Sequence, residues 1–199
     1  MTITNGYTTL AKLQDFLGRD SADVDGYGGT NDPRASFLED CITGASRFID
    51  NELGLPTGVI LSSQTVTDTV DAYHPSQYGF MISKKLRELR SSLPIISVTS
   101  LSLSGTLLTV NSDYYVYSHT IEADGEFSSD RKAYSLAAVI GYATIPAQID
   151  RVCCQIAAVM SGLSTSVFSD DSGDLNQVIQ RNVPEWCYKA LDKFRVLWI

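Results

Sequence analysis

Histidine, cysteine and basic side chains are scarce in this chain, with two, four and fifteen among 199 residues, and each scarcity removes a class of function. Neither His74 nor His119 has a cysteine or a second histidine at metal-ligand spacing, so no zinc ligand set can be read. Cys41, Cys153, Cys154 and Cys187 fall in predicted helices without C-x-x-C spacing, and there is no N-x-S/T sequon, so they read as reduced core thiols rather than as the staples of a secreted protein. Fifteen Lys and Arg against 23 Asp and Glu leave a net charge of -8, whose field repels a polyanion and argues against tight DNA wrapping. No apolar run approaches the ~20 residues that span a bilayer, and MTITNGYTTLAK lacks the basic-then-apolar order of a signal peptide. The expectation is cytoplasmic synthesis without membrane attachment.

Motifs of catalysis and cofactor binding are also missing. There is no G-x-S-x-G elbow, no G-x-x-x-x-G-K-[ST] loop and no G-x-G-x-x-G, and Gly26, Gly28 and Gly29 in GYGGT read as a flexible turn. Asp170, Asp171 and Asp174 lack the order and distal Glu of a calcium loop. The expected reading is a non-enzyme with no catalytic residue, metal or cofactor. One basic cluster, Lys84, Lys85, Arg87 and Arg90 around Glu88, could meet a phosphate or an acidic partner but reads more simply as a solvated face beside a strand.

What is present suffices for a sizeable core: 44% of the residues are hydrophobic. Residues 1–58 read as helical. Thr8 or Thr9 caps a short helix with Leu10, Leu13 and Leu17 on one face, stopped by Gly18. Asp32-Pro33 opens a long helix striped by Leu38, Cys41, Ile42, Ala45, Phe48, Ile49 and Leu53 and ended by Gly54. Residues 59–142 are β-rich, with strands expected over 65–73, 95–103, 114–117 and 133–141, a hairpin turn at Ser104-Gly105-Thr106, another turn at Asn111-Ser112-Asp113, and exposed loop around 124–126 and 128–132. Residues 143–163 return to helix: Pro146 suits the first turn, Ile149, Val152, Cys153 and Ile156 recur at i, i+3, i+4, i+7, and Val159, Met160 and Leu163 extend the stripe. Residues 164–181 read as a mobile linker. In 182–199 an N-x-x-E box from Asn182 to Glu185 starts a terminal helix with Cys187, Ala190, Leu191 and Phe194 at helical spacing. The fold class expected is α+β, a helical base of three to four helices with an inserted antiparallel sheet or sandwich-like region.

The order of these blocks resembles the tailed-phage head-to-tail connector, or adaptor, family. The resemblance rests on a Y-x-T-L-x-x-L-x-x-x-L piece at Tyr7, Thr9, Leu10, Leu13 and Leu17, and on A-S-x-x-I-D at Ala45, Ser46, Ile49 and Asp50. It continues with P-I-x-S-V-like residues at Pro94, Ile95, Ser97 and Val98, D-Y at Asp113 and Tyr114, and G-Y-x-x-x-P-x-x-I at Gly141, Tyr142, Pro146 and Ile149. Each piece is weak alone, whereas five in order are fairly specific. The resemblance implies a structural adaptor at the head-tail interface of a virion. Such adaptors form dodecameric rings beneath the portal protein, offer a docking surface to the next neck or tail protein, and let double-stranded DNA pass without specific binding. It also implies that the C-terminal region engages the portal. Trp186, Tyr188, Phe194, Arg195 and Trp198 are the candidates there, because large aromatics and Arg dominate interface energetics. Compact members of the family lack the longer β block and the 119–133 loop.

Two other readings remain open. One is a β-rich virion module that binds a receptor or glycan in a groove lined by Tyr114, Tyr115 and Tyr117, at least one of which alternation points inward; the other is a hydrolase using Ser with His74 or His119. The helical stripe makes its own prediction. Ile156→Asp places an unpaired charge among apolar side chains and should destabilise the fold by more than about 4 kcal/mol, read as loss of a cooperative thermal transition; retention of wild-type melting would show that this face is not buried.

Overall fold

A computed structural model describes residues 5–17, 33–71, 74–83, 86–129, 133–163 and 182–195. Asp32, Gly18, the GYGGT turn, the 164–181 segment with its aspartates, Lys84, Lys85 and the apolar end 197–199 lie outside the described residues. The described part is α+β: four α-helices and two four-stranded antiparallel sheets, divided into a helical unit up to Leu53 and from Ile145 to Arg195, and a β unit over Gly54–Thr144.

In the helical unit, α1 (Leu10–Phe16) starts at Thr9, whose side chain accepts a hydrogen bond from the Lys12 amide at 3.3 Å, as a capping threonine should. Of Leu10, Leu13 and the capping Leu17, only Leu13 is buried. Helix α2 (Pro33–Glu52) begins at the proline, and the whole stripe from Leu38 to Leu53 is buried. Helix α3 (Ala147–Leu163) follows Pro146 and buries Ile149, Val152, Cys153, Ile156 and Ala157, whereas Val159 and Met160 are only half-buried, so its packing loosens towards the end. Helix α4 (Glu185–Leu191) packs Cys187 and Leu191 inward and runs into a single 3-10 turn, Asp192–Phe194. The expected N-x-x-E box does not form. Pro184 occupies the cap position and disfavours helical geometry at the residue before it, so Glu185 is the first residue of the helix instead of the third.

In the β unit, β1 (Gln64–Val70), β4 (Ile95–Leu103), β5 (Thr106–Leu107) and β8 (Tyr134–Ile140) form one sheet in the order β1-β8-β4-β5. Strands β2 (Phe80–Ile82), β3 (Glu88–Ser91), β6 (Tyr114–Val116) and β7 (Thr120–Ala123) form the other in the order β2-β3-β7-β6. Ser104 and Gly105 both have positive φ, 48° and 88°, which is the two-residue turn whose twist matches an antiparallel hairpin. Two irregularities in β4, between Ile95 and Ser97 and between Val98 and Ser100, keep Ile95, Val98, Leu101 and Leu103 opposite the inward residues of β8. Asp68 is buried with them, its carboxylate accepting from the Thr69 amide at 2.8 Å and the Tyr78 amide at 3.2 Å. The sheets are tied by the Ile95 amide donating to the Ser118 carbonyl at 2.6 Å and by Phe127, which meets the Tyr134 ring edge-on at 5.2 Å.

Three strands were not readable as such. β2, β3 and β7 are three or four residues long, and β3 carries Glu88 and Arg90, so its two inward side chains, Leu89 and Ser91, make too short a pattern to stand out. β7 also corrects the 119–133 loop, because Thr120–Ala123 pairs with β3 on one side and β6 on the other.

Gly141 closes the insertion. Its φ is +103°, and a Cβ there would lie 2.5 Å from the Ser62 carbonyl oxygen and 2.8 Å from that of Leu61. The close approach lets the Tyr142 amide donate to Leu61 at 2.7 Å and the Ser63 amide to Tyr142 at 3.1 Å. Gly141→Ala should therefore cost about 3 kcal/mol in urea unfolding, while Gly58→Ala, with open space around its Cβ position, costs about 1 kcal/mol; equal costs would show that the close approach is unimportant.

Candidate partner-binding surface

Several of the residues that carried the sequence resemblance are used internally, although Thr9, Ser97 and Asp113 are exposed. The Tyr7 amide donates to Ser46 Oγ at 3.0 Å and the Tyr7 hydroxyl donates to Asp50, which is 6% exposed. Arg47 pairs with Asp50 at 3.2 Å, donates to the Asn5 carbonyl at 3.0 Å and lays its guanidinium 5.7 Å from the Tyr7 ring centroid. The Y-x-T-L and A-S-x-x-I-D pieces thus meet as a clasp that holds the segment before α1 on α2. Thr8 adds a 3.0 Å contact to Cys154 of α3. Tyr114 is buried, and Gly141 and Tyr142 form the closure described above.

Candidate surface residues have to be sought elsewhere, and the C-terminal set divides in two. Trp186, in the first turn of α4, is 40% exposed, and the Arg151 guanidinium of α3 stands 5.4 Å from its ring centroid. A cation over an indole face rigidifies a large apolar group at the surface, as an interface anchor requires. Tyr188 lies two residues on, a rotation of about 200° along the helix, and faces another way. It is half-buried, and burial raises its hydroxyl pKa, with the neighbouring Glu52 carboxylate adding to the effect. Arg195 reaches the same Glu52 at 3.9 Å and Asp192 at 3.6 Å; such exposed pairs are worth little and leave the guanidinium available to a partner. Phe194 is half-buried, and Trp198 lies outside the described residues.

Sequence reasoning missed Arg151. Its signal was its isolation: Asp150 and Arg151 are the only charged residues of α3, and the stripe at 149, 152, 153 and 156 turns position 151 away from the core. Asp150 pairs with Lys12 of α1, whereas Arg151 serves the exposed Trp186.

The β unit offers other exposed groups. Tyr115 and Tyr117 are 39% and 51% exposed, but Tyr114, between β6 and the core, is turned inward, so a groove lined by all three tyrosines is not formed. Arg87 and Arg90 are exposed, with Arg90 paired to Glu88 at 2.9 Å. His74 and His119 are exposed, and among the described residues neither imidazole hydrogen-bonds a hydroxyl or a carboxylate. No group of three or more metal-binding side chains occurs, and no helix is long and apolar enough to cross a membrane, among the described residues.

No family model matches the chain, and no curated protein matches it. Solved structures share its fold. The chain is similar to a chain in a structure described as the neck of an empty GTA particle computed with C6 symmetry, with a TM-score of 0.59 and 14% identity. The match covers 100% of this chain and 94% of the other, so both the helices and the sheets take part. At that identity the likeness is one of fold.

The thiols offer no reactive centre. All four cysteines are free and buried; burial pushes Cys153 up to about 12 and Cys41 and Cys187 up to about 11, from an ordinary 9.0. The sign of the linkage follows. These groups hold protons in the folded state that the unfolded chain releases above pH 9, so their contribution to stability is complete below that pH and is lost as the pH rises towards 11–12. Native protein should be inert to a thiol reagent at pH 8, and the urea midpoint should fall between pH 9 and 11, less steeply in Cys153→Ala. Rapid native labelling at pH 8 would contradict this.

Proposed function

We propose that this chain is a structural adaptor of a phage-type neck, present in several copies as a ring beneath the portal protein and joining the DNA-filled head to the tail or the next neck protein. The observation that carries the reading is the end-to-end likeness of both its units to a chain in a particle neck. The five ordered motifs, which are features of the sequence alone, point the same way. A particle neck computed with C6 symmetry suits a ring whose copy number is a multiple of six, and the dodecamer implied by the resemblance is one such ring. The place of work is then the head-tail interface of a virion. The role is one of binding, without a catalytic step.

The net charge of -8 supports passage of DNA without capture, since few basic side chains are available to displace counterions from phosphates. The C-terminal stretch from 182 to 199 is assigned to the portal, with Trp186 as its anchor and Tyr188, Phe194, Arg195 and Trp198 as further contacts. Arg151 joins this set through its stacking on Trp186. A β-rich receptor-binding or glycan-binding module is the second reading, favoured by the exposure of Tyr115 and Tyr117 on one side of the β6 segment.

Deletion of the C-terminal stretch is a poor test, because Cys187 and Leu191 belong to the helical core. Trp186→Ala is better: the side chain is partly exposed, so the melting temperature should hold while affinity for portal assemblies falls by at least roughly tenfold in a sedimentation binding assay. Unchanged affinity would remove α4 from the portal contact. Binding of a glycan array with no portal affinity would favour the second reading.

A further inference from the structure

The outer face of the β1-β8-β4-β5 sheet has an unusual composition for an acidic chain. Register places its outward side chains in three rows: Thr65, Val139 and Ser97; Thr67, Ala137 and Ser100; and Thr69, Ser135 and Ser102, with Leu107 of β5 continuing the last. None of these ten positions is charged. Thr65, Thr67, Thr69, Ser97 and Ser135 are exposed, Leu107 is 68% exposed, and Ile96, at the irregular start of β4, is 44% exposed. The other sheet contrasts with it, since β3 and β7 carry Glu88, Arg90 and Glu122 away from their buried residues.

We propose that this neutral sheet face is the seam on which a second copy of the chain docks in the ring; the inference rests on the ring reading above. Two physical constraints select the occupant. Each copy carries a net charge of -8, and like charges brought together across an interface cost several kcal/mol, so acidic copies can meet closely only where neither presents a carboxylate. In addition, Thr, Ser, Ala and Val lose little side-chain freedom on burial, whereas each immobilised Lys or Glu costs about 1.5–2 kcal/mol. A basic partner would instead seek the acidic surface elsewhere on the chain. A closed ring needs a heterologous contact, in which this face meets a different surface of the next copy. From strand spacing and rise the face covers roughly 300 Å², well under the ~800 Å² per partner of a standard interface, so it forms the centre of the seam and Ile96 and Leu107 lie towards its rim.

The test places a photoreactive benzophenone side chain at Thr67 of the full-length protein, incorporates it into particles, irradiates them and identifies the cross-linked products by mass spectrometry. The expected product joins two copies of this chain. In parallel, Thr67→Glu, at an exposed position that should leave the melting temperature unchanged, should lower the number of assembled rings on portal by at least roughly tenfold, with Thr67→Ser behaving as wild type. If particles contain the chain as a ring but Thr67 cross-links to another virion protein or to nothing, the seam is wrong and the ring reading stands. If purified particles lack the chain, the neck reading fails and the seam with it.

Discussion

Everything in the helical unit depends on α2 and α3 finding each other across the roughly ninety residues of Gly54–Thr144. Ile42, Ala45 and Ile49 on one helix and Ile149, Cys153 and Ile156 on the other are fully buried, and Cys153 lies 3.5 Å from Ser46 Oγ. Burying each large aliphatic side chain contributes on the order of 2 kcal/mol. Closing a flexible loop of that length costs about 4 kcal/mol by chain statistics, comparable to two such side chains. The β unit reduces this cost because it folds its own ends together: the Ser62–Tyr142 bridge and the backbone approach at Gly141 hold the two crossing strands of chain side by side. A single glycine in the closure thereby bears on the assembly of helices that it does not belong to.

The clasp of Tyr7, Ser46, Arg47 and Asp50 acts on the same unit from its other end. A carboxylate that is 6% exposed is tolerable because it accepts the tyrosine hydroxyl and faces a guanidinium. The segment ahead of α1 is thereby fastened to α2, and through Thr8 and Cys154 to α3. Residues that recur in a family's motifs are readily taken for its binding surface. Here the clasp residues hold the scaffold, and Trp186 with its Arg151 partner stays exposed.

Periodicity made much of the fold legible. The 3.6-residue stripe of α2 and the first half of the α3 stripe match the buried residues, and the long strands β1, β4 and β8 alternate as period two requires. Short elements failed this reading, because two inward residues in β3 or β7 are too few to separate a pattern from chance. The Asn182–Glu185 box failed because Pro184 overrode it through its own backbone restriction. For the C-terminal candidates, composition gave the residue types but not their division, since Trp186 and Tyr188 are near neighbours in sequence that a helix turns to different sides.

The amino-acid sequence alone determined the class of the protein: acidic, cysteine-poor, α+β, with helices at both ends and strands between, because composition and hydrophobic period are local properties. Tertiary structure decided what those residues do. Only pairing register could show that ten uncharged side chains from four strands share one face, and only packing could bring Arg151 over Trp186 or Tyr7 onto Asp50. The physical reason is the same each time: side chains distant along the chain become neighbours through backbone geometry, and no local pattern encodes which of them will meet.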